Sequence, residues 1–486
     1  MVDAARNFRQ PATLRRLIDQ MSAYKLNRLH VHLSDDEGWR IEIPGLPELI
    51  EIGAKRCHDI TEMHCLLPQL GSGPDDRSGG RLSEPRRLCR AGALRGGSLH
   101  RDRSGDRHAR PRARRGGIDG SRYPRLHAQG NEAGASAYRL LDPANTSNTT
   151  TVQFYDRRSF LNLCSGGAQR FASKVIVIGE IAYMHREAGA SLSIWHFGGD
   201  EAKNILLGAG FQPLDGTDPG KGHVNLAAQD KPWGRSPQCA ALIASGKAAS
   251  VDELPSMFAR QVSQIVRANG AGTMAAWQDG IKHTNGPQDF ATAMVTMWDT
   301  MFWGASDTVQ TLANQGYKTV LALPDYLYFD FPYSFDQRER GYYWGSHVTD
   351  SFKTFALAPD NLPQNAEIMA DRDGNPFEAT GTGGALRIEG IQGQAWAEVC
   401  APIGISSIIV YPRLLALAER AWHRAAWERP YAPGERYRLG DTDKVDKAAL
   451  AQDWARFMSV VQNRGCRNWP APARWCGGGS AVEGGV

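Results

Sequence analysis

The chain has 486 residues, 42% of them hydrophobic, and a formal net charge of +4, which suits one large barrel or two to three ordinary domains of a globular enzyme. No apolar run reaches the roughly 18 residues a membrane-spanning helix needs, and Met1–Phe8 shows neither the basic n-region nor the apolar core of a signal peptide. The net charge hides a block: from Arg77 to Arg115 stand 13 Arg, no Lys and three acids (Glu84, Asp102, Asp106), a local +10 that leaves the remaining chain at −6.

The elements follow one rhythm. Val2–Arg6 reads as extended. Pro11 suits a helix start, and Leu14, Leu17, Ile18 and Met21 keep helical spacing through Tyr24. Arg28–Leu33 alternates as a strand does and runs into Ser34-Asp-Asp-Glu-Gly-Trp39. A helix over Phe171–Arg186 precedes a strand over Leu192–Phe197, which ends at Gly198-Gly-Asp-Glu201. A helix over Met257–Ala268 precedes a strand over Thr273–Ala276, tipped by Trp277-Gln-Asp279. The strand Ala293–Met297 ends at Trp298-Asp299. A helix over Val309–Gln315 leads to a strand over Lys318–Leu323, ending near Asp325-Tyr-Leu-Tyr328. Gly390–Ala395 is a strand ending at Trp396-Ala-Glu398, and Ile408–Trp422 closes with a helix. Strand, polar or aromatic tip, then helix is the pattern of a parallel α/β protein. Polar clusters just past strand C-termini are where a (β/α)8 barrel places its chemistry. A doubly wound sheet would want a Gly-rich phosphate turn after the first strand, and none is present.

Residues 77–115 have no apolar period of 2 or 3.6, and they fall where a third strand and its helix belong. Residues 465–486 are equally without pattern. A nucleic-acid-binding reading would rest on the arginine block alone, and no aromatic residues interleave it as a stacking platform. A metal hydrolase is disfavoured, since no His pair at i, i+4 with an acid occurs, and no cofactor motif is visible. Of the eight cysteines, Cys57 and Cys65 are close enough to staple one loop. Cys164 and Cys239 could pair only through the fold. Buried free thiols are an equal reading.

Trp195-His-Phe-Gly-Gly-Asp-Glu-Ala-Lys-Asn204 is the most specific segment. Adjacent carboxylates at a strand tip are costly unless one is protonated or each has its own partner. Such a pairing splits two pKa values and yields an acid and an anion in one site. An Asp-Glu pair alone is most often solvated surface, and a tryptophan alone is most often core. Here Gly198-Gly199 would let a ligand approach closely, and aromatic tips follow on four later strands.

Ala5-Arg-Asn-Phe8, His32–Arg40, His196–Glu201, Ala276–Gly280, Trp298-Asp-Thr300, Pro324–Tyr333, Arg340–Gly345, Gln394–Glu398, Pro412-Arg-Leu and Ala418–Trp422 together resemble the family 20 glycoside hydrolases, in particular the bacterial chitobiase branch. The likeness runs in order over about 1–72 and 122–464. It implies a (β/α)8 catalytic barrel that acts on N-acetylglucosamine-containing oligosaccharides without a cofactor or metal. It implies Glu201 as general acid, Asp200 as the partner of the substrate's acetamide N–H and Tyr328 as hydroxyl donor to the acetamide oxygen. Trp277, Trp298 and Trp396 would wall the acetamide and the sugar face, Arg6 and Glu398 would bind hydroxyls of the terminal sugar, and Trp344 would stack under the next sugar. Asp35 would buttress a histidine that touches Glu201. Disulfides Cys57–Cys65 and Cys164–Cys239, export to the periplasm or beyond, and a further domain ahead of the barrel are also implied.

One family motif, Pro-Glu-Ile-Asp-Met-Pro-Gly-His on the third strand, is missing. In its place stands Ser104-Gly-Asp-Arg-His-Ala-Arg-Pro-Arg-Ala-Arg-Arg115. With codons TCC GGA GAT CGA CAT GCC CGG CCA CGC for its first nine residues, dropping the first base restores the whole motif. Residues 77–121 therefore read as out of frame within a barrel spanning 1–464, the tail 465–486 as a second such stretch, and His108 is not the missing histidine. A chain so altered is expected to lack its third strand and to leave two sheet edges unpaired; a damaged, inactive product is the alternative to an enzyme.

Overall fold

The computed structural model describes residues 1–35, 38–44, 46–59, 64–67, 103–106, 128, 167–200, 233, 237–281, 287, 290, 293–337, 339, 341, 343–397 and 409–462. The chain divides into an N-terminal unit, residues 2–296, and a C-terminal unit, residues 297–486 with Met1.

In the N-terminal unit the strands are β1 (Val2–Asp3), β2 (His30–Asp35), β3 (Gly38–Trp39), β4 (Arg103–Asp106), β5 (Ile194–His196), β6 (Thr273–Trp277) and β7 (Met294–Met297). The parallel ladder runs β1-β2-β4-β5-β6-β7, and β3 folds back antiparallel on β2. Parallel neighbours need crossovers. Helix α1 (Pro11–Ala23) joins β1 to β2, α2 (Gly167–Glu187) leads into β5, and α3 (Leu254–Ala268) leads into β6. The sequence explains their faces. Pro11 opens α1, and Leu14, Ile18 and Met21 form its buried stripe. In α3 the stripe is Leu254, Phe258, Ala259, Val262 and Val266, spaced so that one face meets the sheet.

The third strand corrects the sequence expectation. β4 lies between β2 and β5, with His30 opposite Arg103, His32 opposite Gly105, and Arg103 opposite Ile194. Parallel pairing is a bond between main chains, so four residues with free N–H and C=O groups fill the position. A register shift between His32 and Ser34 marks where the ladder adjusts. The strand is short, and residues 107–121 lie outside the described set.

The C-terminal unit contains α4 (Ala305–Asn314), β8 (Lys318–Leu321), the single turn α5 (Pro324–Leu327), α6 (Ser351–Ala356), β9 (Glu378–Thr380), β10 (Ile388–Ile391), α7 (Arg413–Trp422), β11 (Arg436–Arg438) and α8 (Lys447–Val460). β10 pairs parallel with β8, and Ala322 N–H donates to the carbonyl of Met297. β11 and β9 form an antiparallel ribbon. A core of Phe355, Ala366, Ala416, Trp427, Tyr437 and Leu450 holds α6, α7 and α8 together. Ile409 and Val410 are helical, and the turn at Tyr411-Pro412 separates them from α7, since a proline can open a helix but not continue one; Ile408 lies outside the described residues.

Candidate active site

At the tips of β1 and β2 lies a buried charge network. Arg6 reaches Asp3 at 3.0 Å and Asp35 at 3.1 Å, and His32 Nε2 meets Asp35 Oδ2 at 2.6 Å. All four side chains are almost fully buried. Burial, the largest influence on Asp3, would raise its carboxyl, but Arg6 and His32 outweigh it and hold Asp3 below its ordinary value. Arg40 donates to the carbonyls of Ala5 and Ala54, and Arg56 to that of Arg6. Arg6 and Asp35, chosen separately from the sequence, are thus brought into direct contact. The histidine on Asp35 among the described residues is His32, the last residue but one of the strand run Arg28–Leu33 and three before Asp35, a spacing whose meaning the sequence alone does not show.

β5 delivers the Asp-Glu segment. Trp195, His196 and Phe197 are buried, and Asp200 at the tip is 4% exposed. His196 sits between the rings of His30 at 4.8 Å and Trp277 at 4.9 Å, with its Nε2 3.2 Å from Thr296 Oγ1. Trp277, on the next strand, is bound to this segment through its N–H on the carbonyl of Gly198 at 3.0 Å. The two glycines have a use the sequence did not suggest. Gly199 has φ +91°, and a Cβ there would stand 2.9 Å from the Cα of Gly280 and 2.6 Å from the ring of Phe197. The glycine face receives the backbone of the neighbouring loop.

In the C-terminal unit the aromatic tips converge. Trp344 lies 5.8 Å from Trp298, 6.0 Å from Trp303, 5.6 Å from Tyr328 and 5.5 Å from Phe331, centroid to centroid. Tyr328 in turn meets Trp396 at 6.4 Å. Tyr328 and Trp396 are buried, whereas Trp344 is 37% exposed. Asp325 ties two of these tips together: its Oδ2 accepts from Met301 N–H at 2.9 Å. Burial pushes the Asp325 carboxyl up to about 7, against the Met301 N–H and Lys353, which pull it down. Trp303, Asp325 and Arg413 were not singled out from the sequence.

Glu201, Glu398 and Cys164 lie outside the described residues. Cys57 and Cys65 form a disulfide with Cα atoms 5.7 Å apart, and Cys239 is disulfide-bonded to a partner outside the described set. Among the described residues no cluster of His, Cys, Asp and Glu has the form of a metal site, and no helix is long and apolar enough to cross a membrane.

The model of the glycosyl hydrolase family 20 catalytic domain matches residues 1–83 and 121–425. The chain is 47% identical over 470 residues to the N,N'-diacetylchitobiase of Vibrio harveyi, covering 96% of this chain and 53% of that protein. It is 34% identical to a beta-hexosaminidase of Vibrio vulnificus, over 95% and 52%. The chain thus spans about half the length of the curated relatives it matches. Among solved structures, an exo beta-N-acetylglucosaminidase from Vibrio harveyi superposes with TM-score 0.60 at 22% identity, covering 95% of this chain and 57% of that one. The Streptomyces plicatus N-acetyl-beta-hexosaminidase superposes with TM-score 0.57 at 20% identity, over 97% and 69%. The likeness in fold is to (β/α)8 catalytic domains.

Proposed function

Because the chain belongs to glycosyl hydrolase family 20, we propose that it is a β-N-acetylhexosaminidase of the chitobiase kind, releasing terminal non-reducing N-acetylglucosamine from chitobiose and chitooligosaccharides. The observation that carries this is the buried carboxylate Asp200 at the C-terminal tip of β5, immediately before Glu201, in a chain 47% identical to a chitobiase. Glu201 donates a proton to the glycosidic oxygen. The substrate's own acetamide carbonyl attacks the anomeric carbon, the substrate-assisted exception among retaining enzymes. Asp200 takes the acetamide N–H and balances the positive charge of the cyclised intermediate, and Tyr328 donates to the acetamide oxygen. Trp277, Trp298 and Trp396 exclude water and cover the sugar faces, for which indoles suit by area and shape. Arg6 and Glu398 take hydroxyls of the terminal sugar, and Trp344 takes the next sugar. Disulfides such as Cys57–Cys65 support an exported, periplasmic or extracellular location.

The test is turnover of an aryl N-acetyl-β-glucosaminide, and inhibition by a thiazoline analogue of N-acetylglucosamine, in the chain and its Glu201→Gln variant. Loss of the acid is expected to lower turnover by about 10²- to 10⁴-fold, with Asp200→Asn weakening the inhibitor. Undiminished turnover in Glu201→Gln, or a sugar ester trapped on a carboxylate of the protein, removes the mechanism.

We also read residues 77–121 as translated from a shifted frame. The family match stops at residue 83 and resumes at 121. The shifted reading extends upstream: codons CAT CGA GAT CGT for His100-Arg-Asp-Arg103 become Ile-Glu-Ile-Val, leading directly into Pro-Glu-Ile-Asp-Met-Pro-Gly-His. That is the largely apolar run a parallel barrel strand calls for, leading into the segment that forms β4, Arg103–Asp106. A damaged product is the weaker alternative, since the third position of the ladder is occupied by the chain as it stands.

A further inference from the structure

Arg413, the first residue of α7, is fully buried, and among the described residues no carboxylate forms an ion pair with it. Its guanidinium is spent on main-chain carbonyls. It donates to Phe329 O at 2.5 Å, to Phe331 O at 2.8 Å, to Thr349 O at 2.6 Å, and twice to Ile409 O, at 3.1 and 2.6 Å. One face of the fork lies 3.8 Å from the centroid of the Tyr333 ring. Stability alone does not call for this arrangement, because a buried cation carries a desolvation cost that an apolar side chain of similar size avoids. A planar five-donor fork supplies something else, a fixed geometry for several acceptors at once.

Two of those acceptors, Phe329 and Phe331, follow Tyr328 closely in the chain. Phe329 follows Tyr328 in the chain, and its N–H is held by Gln394 O at 2.7 Å. Phe331 N–H donates to the carbonyl of Tyr328 at 3.3 Å, and the Phe331 ring packs at 5.5 Å from both Tyr328 and Trp344. The carbonyls on the far side of Tyr328 are thus anchored on the start of a helix. Tyr328 itself is 2% exposed and confined by Trp344 and Trp396.

We propose that Arg413 is the positioning residue of Tyr328: by collecting the carbonyls of Phe329, Phe331 and Thr349 it fixes where the phenol hydroxyl points. The inference rests on the reading of Tyr328 as hydroxyl donor to the acetamide. A misplacement of about 1 Å at a reacting group costs on the order of 10²-fold, so the fork matters to the cyclised intermediate more than to the sugar bound beforehand. Lysine in its place keeps the charge but cannot serve four carbonyls in one plane.

The experiment uses the full chain as Arg413→Lys, Tyr328→Phe and the double variant, together with Tyr333→Leu, which removes the ring under the fork and leaves the carbonyl bonds. If the chain as it stands is inactive, the version with residues 77–121 in the other frame carries the same substitutions. The inhibition constant of the thiazoline is measured beside kcat and KM for the aryl glycoside. Arg413→Lys is expected to weaken the thiazoline about tenfold or more and to lower kcat while moving KM by less than about threefold. In the Tyr328→Phe background the same change is expected to add less than about twofold. Tyr333→Leu is expected to act in the same direction and more weakly, which keeps the test open if Arg413→Lys fails to fold. A residue that only held the fold together would reduce the amount of active protein and leave the inhibition constant unchanged. An unchanged constant, or an effect of equal size with and without the Tyr328 hydroxyl, overturns the proposal. Absence of both turnover and thiazoline binding in the unsubstituted proteins would instead remove the family activity, and this inference with it.

Discussion

The carboxylate of Asp325 accepts the backbone N–H of Met301 at 2.9 Å, joining the turn that carries Tyr328 to the segment that carries Trp298 and Trp303. The same carboxyl is pushed up to about 7 by burial. An unfolded aspartate titrates near 3.9, so between that value and about 7 the folded chain binds a proton that the unfolded chain has released. Stability from this group is therefore complete below about pH 4 and is lost as pH rises to about 7, a swing on the order of 4 kcal/mol. Asp325→Asn keeps an acceptor for Met301 without the charge. It is expected to melt several degrees above the parent at pH 8 and close to it at pH 5. A variant melting below the parent at pH 8 would show that the charge stabilises.

Gly199 and Gly280 touch through their backbones, and Gly199 is left-handed. Alanine at 199 is expected to cost more than about 2 kcal/mol, the left-handed term being 1–2 of it and the overlap with Phe197 and Gly280 the rest. Gly189 serves as the control: its φ is +72° with nothing within 4 Å of a Cβ, so alanine there bears the conformational cost alone. Urea unfolding of the parent and the two alanine variants decides. Equal losses at 189 and 199 would mean that the loop contact yields freely.

Arg420 and Glu428 form a buried pair at 2.7 Å, with the carboxylate also accepting Ala425 N–H. Burial, the largest influence on each, lowers Arg420 and raises Glu428, so desolvation opposes the charged forms that the pairing favours. Glu428→Ala leaves the guanidinium over Phe355 and Trp427 with the half-exposed Glu419, at 3.8 Å, as its ion pair, and is expected to cost about 3 kcal/mol, the low end for a broken buried pair. Replacing both by Met and Leu is expected to cost less than the single change. Denaturant titration of the two variants checks the order.

The nucleotides behind residues 100–112 offer a test without protein. They are expected to encode Ile-Glu-Ile-Val-Pro-Glu-Ile-Asp-Met-Pro-Gly-His when read one base later. Codons for Ser104-Gly-Asp-Arg-His108 that give any other sequence in that frame end the frame-shift reading.

The alternation of strand and helix was legible because each element carries its own period. The apolar stripe of α3 and the run Arg28–Leu33 announce themselves without any partner. The β4 position was not legible, since its pairing belongs to main-chain groups that every residue type shares. Asp200 and the tryptophans stood out by motif. Arg413 and Asp325 lie within such motifs, but their roles were not legible, because most of what matters in them is carbonyl and amide partners 24 to 84 residues away. The glycines before Asp200 were visible, yet their purpose depended on Gly280, a neighbour across the ladder that no local pattern reveals.

The clustering of Trp298, Trp303 and Trp344, with rings 5.8 and 6.0 Å apart, has an optical consequence. Indoles this close couple through their strong far-ultraviolet transition, so the three will give split, oppositely signed circular-dichroism bands there and pass excitation rapidly among themselves. On the proposed reading, in which Trp344 takes a sugar, binding shifts that common signal rather than the emission of a single residue. The unlabelled protein therefore carries a spectroscopic gauge of occupancy at this platform, readable before any turnover is measured.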